Sequence, residues 1–237
     1  MLFQKNIATI LSALFIALSM AHSQAFAAAG MRVDDAEAKS RGDCELESWL
    51  ATTGKSHEIM LMPSCGVGAA TELSVGYERL VPRRDSNSNS LIFQSKTQLS
   101  SEDQPLQFAL SIGSVLDLTR RDNDPRISDV FINLPITFEL QPHTELRLNA
   151  GLLRDRAEQN TLGTGGVALV QSLNPNIDVF AEAFRIDDSG RGWQAGFILP
   201  DIGNSMKLDL SILNSRPDDR RRFSLLLAVS FSSENLF

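Results

Sequence analysis

An alternation of apolar and polar residues recurs, with interruptions, from Cys44 almost to the C-terminus, and it limits this chain to very few folds. In Val130–Leu140 every even position is large and apolar, whereas Asn133, Thr137 and Glu139 fall on the other parity. Met206, Leu208, Leu210 and Ile212 alternate with Lys207, Asp209 and Ser211 in the same way. Successive side chains on a strand point to opposite faces, so each segment predicts a strand with one apolar and one polar face. About a dozen such segments with no helical pattern between them predict an antiparallel all-β protein. An up-and-down barrel satisfies that pattern with its apolar face in lipid and its polar face around a lumen.

The leader supports the same placement. Lys5 supplies a positive n-region, Ile7–Met20 form an uncharged apolar stretch, and Ala25-Phe26-Ala27 is a small-x-small cleavage pattern. Residues 1–27 are therefore expected to be a signal peptide, cut between Ala27 and Ala28. No later stretch approaches the roughly 18 to 20 apolar residues that a spanning helix needs. Losing Lys5 leaves 21 basic residues from 22 against 29 acidic ones, a mature net charge of −8. That balance argues against nucleic acid as a partner.

Residues 28–43 are polar and without period, and are expected to be a flexible periplasmic lead-in; residues 44–237 are expected to form the barrel. Twelve strands are predicted, at 44–53, 57–65, 70–81, 90–100, 106–118, 128–140, 145–154, 163–172, 176–187, 192–200, 205–214 and 222–231. Longer Arg-rich loops near 83–89, 120–126, 156–162 and 216–221 alternate with short turns such as Asn174-Pro175-Asn176. This is the asymmetry expected between extracellular and periplasmic ends, with both termini periplasmic. The Arg-rich loops also suit lipopolysaccharide phosphates.

Only Cys44 and Cys65 are present, both in the exported part. Their midpoint falls between Gly54 and Lys55, the centre of a tight hairpin turn, which would set the two thiols opposite each other. An oxidising periplasm lets the bond persist, and closing a loop of about 20 residues stabilises by roughly 3 kcal/mol in the chain-entropy model. Two cysteines and distant histidines are too few ligands for a metal, and no cofactor motif is present.

From Cys44 onward the chain resembles proteobacterial outer-membrane β-barrel proteins of the transporter-like, phenol-degradation-pathway porin-like group. The resemblance is carried by Cys44-Glu-Leu-Glu-Ser-Trp49, Pro63-Ser-Cys65 and Glu72-Leu-Ser-Val-Gly76, and continues in Phe180-Ala-Glu-Ala-Phe184 and Trp193-Gln-Ala-Gly-Phe197. It implies an outer-membrane barrel of a Gram-negative bacterium, inserted by the outer-membrane assembly machinery, and implies no catalytic residue. Such barrels usually end on a strand whose last residue is Phe. Here the last predicted strand ends at Phe231 and the chain ends at Phe237, so either supplies the assembly signal.

Parity places Glu45, Glu47, Glu58, Glu72, Glu78, Asp117, Glu139, Glu145, Asp178, Glu182 and Asp209 in the lumen, with Lys96, Arg147 and Lys207. Such a lumen is acidic and favours cations. The residues read as lining a pore are Glu72, Lys96, Asp117, Glu139, Arg147, Glu182, Lys207 and Asp209. The function expected is a narrow passive channel or transporter for small solutes.

Three alternatives compete. A closed structural barrel fills its lumen with side chains, as barrels of about eight strands do. A soluble periplasmic binding barrel shows the same alternation turned inside out, and the thin set of Trp49, Tyr77 and Trp193 as interfacial aromatics favours it somewhat. A lipid-cleaving barrel enzyme needs Ser and His on one face. Here His57 follows Ser56 directly and His143 lies beside Thr144 in a turn, so no enzyme is expected.

Overall fold

A computed structural model describes residues 30–237 apart from 54–55, 83–86, 102, 120–125, 157–158, 187–189, 204 and 217–221. The expected leader and its cleavage bond at Ala27/Ala28 lie outside the described residues.

Twelve antiparallel strands form one closed meander. They are β1 (Cys44–Thr52), β2 (Ser56–Gly66), β3 (Thr71–Pro82), β4 (Ser88–Gln98), β5 (Leu106–Asp117), β6 (Arg126–Gln141), β7 (Thr144–Asp155), β8 (Asn160–Asn174), β9 (Ile177–Ile186), β10 (Gly190–Ile202), β11 (Met206–Arg216) and β12 (Arg222–Ser233). Each pairs with its sequence neighbours, and β1 closes the ring on β12 from Cys44↔Ser233 to Thr52↔Leu225. Closure leaves no edge strand with unpaired backbone groups.

The alternation resolves in one sense only. Leu46, Leu73, Phe93, Ile132, Leu169, Leu210 and Leu225 stand on the outer surface, each at least 40 % exposed. Arg147, Gln194, Asp209, Ser111 and Ser230 are at most 1 % exposed, and all turn inward. The polar face is inside, which is the reverse of a soluble barrel built around an apolar core. Among the expected interfacial aromatics, Trp193 does sit outside, edge-on to Phe223 at 6.5 Å. Trp49 does not: it shares the parity of Glu45 and Glu47 and turns inward, where its indole N–H donates to Glu58 at 3.2 Å.

Two prolines lie inside strands. A proline has no N–H for the ladder. The β2–β3 register accordingly skips from Leu61↔Tyr77 to Ser64↔Ser74 around Pro63, and β5–β6 skips from Phe108↔Ile136 to Ser111↔Asn133 around Pro135. Both prolines keep a cross-strand neighbour on the other side, Leu46 and Asn149.

The first hairpin has the register expected of it. Thr52 faces His57 and Cys44 faces Cys65, and the two cysteines form a disulfide with their Cα atoms 4.1 Å apart. Residues 30–43 depart from expectation. Instead of lying below the barrel, the segment turns at the root of β1 and runs inside it, with Val33, Asp35, Ala36 and Ala38 all below 5 % exposure.

Candidate functional site: a lumen threaded by the N-terminal segment

The inner segment begins at a crowded junction beside the disulfide. Gly42 takes a positive φ of 90°, and its N–H donates to the Gly66 carbonyl at 3.0 Å. The Gly66 N–H donates in return to Asp43 at 2.9 Å. A Cβ at Gly66 would collide with the backbone carbonyl oxygens of Lys39 and Ser40, so only glycine lets the segment pass so close. The residues after β12 brace the same point. Asn235 N–H donates to the Asp43 carboxylate at 3.1 Å, and Leu236 N–H to the Gly42 carbonyl at 2.8 Å.

From this root the segment passes along the inner wall, and the wall's side chains replace the strand partner it lacks. Lys39 N–H donates to Glu72 on β3 at 3.2 Å, and Ala38 N–H to Gln98 on β4 at 3.3 Å. Ala36 N–H donates to the Thr137 hydroxyl on β6 at 3.0 Å. Asn149 on β7 binds Asp34 twice, accepting its N–H at 3.0 Å and donating to its carbonyl at 2.7 Å. Glu182 on β9 accepts the N–H groups of Arg32 and Val33, at 2.9 and 3.0 Å. At the far end Gln194 on β10 donates to the Gly30 carbonyl at 3.4 Å. Gly30 lies against β12 so closely that a Cβ there would sit 2.8 Å from Leu226. Buried backbone groups must find partners, and here polar side chains from six strands supply them. Met31 adds an apolar contact, packing on Val170, Phe180 and Ile198.

Charge is paired along the same path. The Lys39 ammonium lies 3.1 Å from Glu45 and 3.3 Å from Glu72. Lys96 meets Asp34 at 3.3 Å and Asp35 at 3.4 Å, while Arg147 meets Asp35 at 3.5 Å and Glu145 at 2.8 Å. Burial pushes the Asp35 carboxyl up, but Lys96, Arg147 and Lys39 outweigh it and hold the group below its ordinary range. At Asp34 burial prevails, aided by repulsion from Asp35 and Glu72, and its carboxyl stays raised. Burial likewise lowers the Lys39 ammonium, and Glu72, Glu45 and Glu47 more than reverse the effect.

Of the residues expected to line a pore, the structure turns Glu72, Lys96, Arg147, Glu182, Lys207 and Asp209 into the barrel, all 6 % exposed or less. Glu72, Lys96, Arg147 and Glu182 contact the inner segment directly. Both Asp209 carboxylate oxygens lack a hydrogen-bond partner among the described residues. Asp117 sits apart, in a shallow recess with Glu78, Ser90 and Thr119, and accepts the Thr119 N–H at 2.8 Å. Glu139 keeps the inward parity but ends exposed at the rim, opposite Glu145. Beyond that charged set, the site takes in the segment itself and the uncharged inward-facing residues Asn149, Thr137, Gln98 and Gln194, of which the alternation singles out Thr137. His57 Nδ1 is 2.9 Å from the Thr52 hydroxyl, and the Ser56 hydroxyl meets Thr53.

Beside the segment the lumen retains a cavity of ≈ 1620 Å³. Residues near the root of β1 line it (Glu45, Lys207, Ser232), and so do residues near the opposite rim (Ser56, Leu153, Arg222).

Among solved structures, the KdgM porin superposes with a TM-score of 0.64 at 9 % identity, over 80 % of this chain and 99 % of that one. The COG4313 outer membrane channel from Pseudomonas putida F1 gives 0.64 at 8 % identity, over 84 % and 98 %. The NanC porin gives 0.58 at 8 % identity, over 79 % and 98 %. At these identities the likeness is one of fold: a twelve-stranded barrel of the outer-membrane porin type. No curated protein matches the chain significantly. A family described as "Uncharacterised conserved protein UCP029691" matches residues 15–218, and with most of its length so covered the chain belongs to that family.

Proposed function

We propose that this chain is a narrow passive channel of the Gram-negative outer membrane, carrying small solutes through a lumen that its own N-terminal segment constricts. The observation that carries the reading is the combination of an apolar exterior with a polar interior that retains open volume from one rim towards the other. Export depends on the leader 1–27, cut at Ala27/Ala28, and insertion depends on the outer-membrane assembly machinery. Phe231, on the outer face of β12, is the terminal aromatic that this machinery meets within a strand; Phe237 lies beyond it. Lipopolysaccharide surrounds the Arg-bearing rim.

The passage favours cations. Lys96 and Arg147 are engaged by Asp34, Asp35 and Glu145, and Lys39 by Glu45 and Glu72. The cavity is also bordered by Glu47 and Asp178, and by Glu58, which pairs with Arg32 at 3.2 Å. An acidic lining attracts cations and repels anions, more so at low ionic strength. A second reading, a closed structural barrel, draws support from how much of the lumen the segment fills.

Purified protein in planar bilayers under a salt gradient tests both. The expected outcome is a small conductance whose reversal potential has the cation-selective sign. An anion-selective sign overturns the electrostatic argument, and no conductance favours the closed barrel. Recovery of the mature protein in the soluble periplasmic fraction, instead of the outer membrane, would refute the location.

A further inference from the structure

We propose that Lys96 and Arg147 form a carboxylate-binding site on the inner wall, filled here by Asp35 of the chain's own segment and available to a carboxylate-bearing solute when Asp35 withdraws. The inference rests on the lumen being reached by solutes, as the channel reading holds.

The site is built from separate strands. Lys96 projects inward from β4 and Arg147 from β7, and they are 6 % and 0 % exposed. Each takes a different oxygen of one carboxylate: Lys96 Nζ is 3.4 Å from Asp35 Oδ1, and Arg147 Nη1 is 3.5 Å from Oδ2. On the segment's own side, the Glu37 N–H also donates to Oδ1 at 3.2 Å and leaves with Asp35. Glu145 holds the other edge of the guanidinium, through Nε at 3.1 Å and Nη2 at 2.8 Å, which leaves Nη1 facing the ligand. Two buried cations converging on the two oxygens of one acid are the charge-assisted arrangement that selects a carboxylate over a monatomic anion.

What sets the site apart is that its anion does not belong to the wall. Every strand is held by backbone ladders on both sides, whereas Asp35 rides on a segment held mainly by side chains. With Asp35 gone, two desolvated cations lose a shared counter-ion. While the segment stays seated, Lys96 keeps Asp34 at 3.3 Å, Arg147 keeps Glu145 at 2.8 Å, and the position between them is left for another carboxylate. The segment and an acidic solute therefore compete for one site, and the tethered Asp35 holds it in the wild-type protein unless the segment withdraws.

Full-length Asp35→Ala protein tests this in planar bilayers at constant ionic strength, with formate replacing chloride. In chloride the variant is expected to conduct more than wild type. Formate should return it saturably to the wild-type level and leave wild type unchanged, because Asp35 already occupies the site. Adding Lys96→Ala should weaken the formate response about tenfold, the loss of one charge-assisted contact. Equal behaviour in formate and chloride would overturn the proposal. Protease protection of residues 30–43 in detergent reads the site without conductance: formate, but not chloride, should restore it in Asp35→Ala. Restored protection without any current faults the channel reading alone; no carboxylate-specific protection faults the site itself. If Asp35→Ala does not assemble, Asp35→Glu should keep wild-type conductance and Asp35→Asn should raise it. Identical conductance in those two would overturn the proposal equally.

Discussion

The barrel wall and the segment inside it expose the same backbone chemistry to opposite solutions. In the wall, every strand exchanges N–H and C=O groups with two neighbours, and the ring closes without an edge. In the segment, buried N–H groups are accepted by Glu72, Gln98, Thr137, Asn149 and Glu182, none of them in a ladder. A ladder is cooperative and covers a whole strand. A row of single side-chain acceptors is held contact by contact, each worth only about 0.5–1.5 kcal/mol net, or more where charge assists. The wall is thus the rigid part and the segment the separable one, anchored at the Gly42–Gly66 junction.

The largest expected effect belongs to the wall. Phe93 and Gln94 are neighbours on β4 that face opposite ways, with Phe93 44 % exposed outside and Gln94 bordering the internal cavity. Phe93→Arg should destabilise the barrel in lipid vesicles by about 2–4 kcal/mol, as a charge on a lipid face does near mid-membrane. Gln94→Arg should change it by less than about 1 kcal/mol. Urea unfolding followed by heat-modifiable gel migration separates the two, and equal costs would break the assignment of faces.

The disulfide comes next. Joining residues 21 apart in sequence, it closes the first hairpin and fixes the point where the segment turns inward. Removing both cysteines as Ser should cost about 3 kcal/mol in the chain-entropy model. Mass spectrometry of non-reduced peptides from the envelope should show Cys44 joined to Cys65. Two alkylatable thiols in freshly isolated protein would contradict the register on which the junction depends.

The wall was legible in the sequence and the segment was not, and the reason is physical. Strand positions follow from period two, because a lipid-facing wall around a wet lumen demands alternation at every step. The Cys44–Cys65 pairing followed from a turn centred on Gly54 and Lys55. Inward parity also located Glu72, Lys96, Arg147, Glu182, Lys207 and Asp209. The wall side chains that bind the backbone of residues 30–39, by contrast, lie between 33 and 164 positions away, and backbone hydrogen bonds leave no mark on side-chain pattern. The one hint was small residues, Ala36 and Ala38, where the segment presses against the wall. Parity also says nothing of height along a strand, so Glu139 at the rim and Asp117 in its own recess read the same as residues deep inside.

Amide hydrogen exchange of the full-length protein in lipid vesicles, resolved peptide by peptide, tests most directly whether the segment is seated yet separable. Native proteins open in units of differing stability, and exchange reports each one. Residues 31–39 should be protected, but exchange well ahead of every strand. Glu182→Ala, which strips the acceptor from the Arg32 and Val33 N–H groups, should hasten exchange there by roughly tenfold or more, about 1–3 kcal/mol, while β1–β12 stay unchanged. Immediate exchange of residues 31–39 in the wild-type protein, or exchange only together with the strands, would contradict the account.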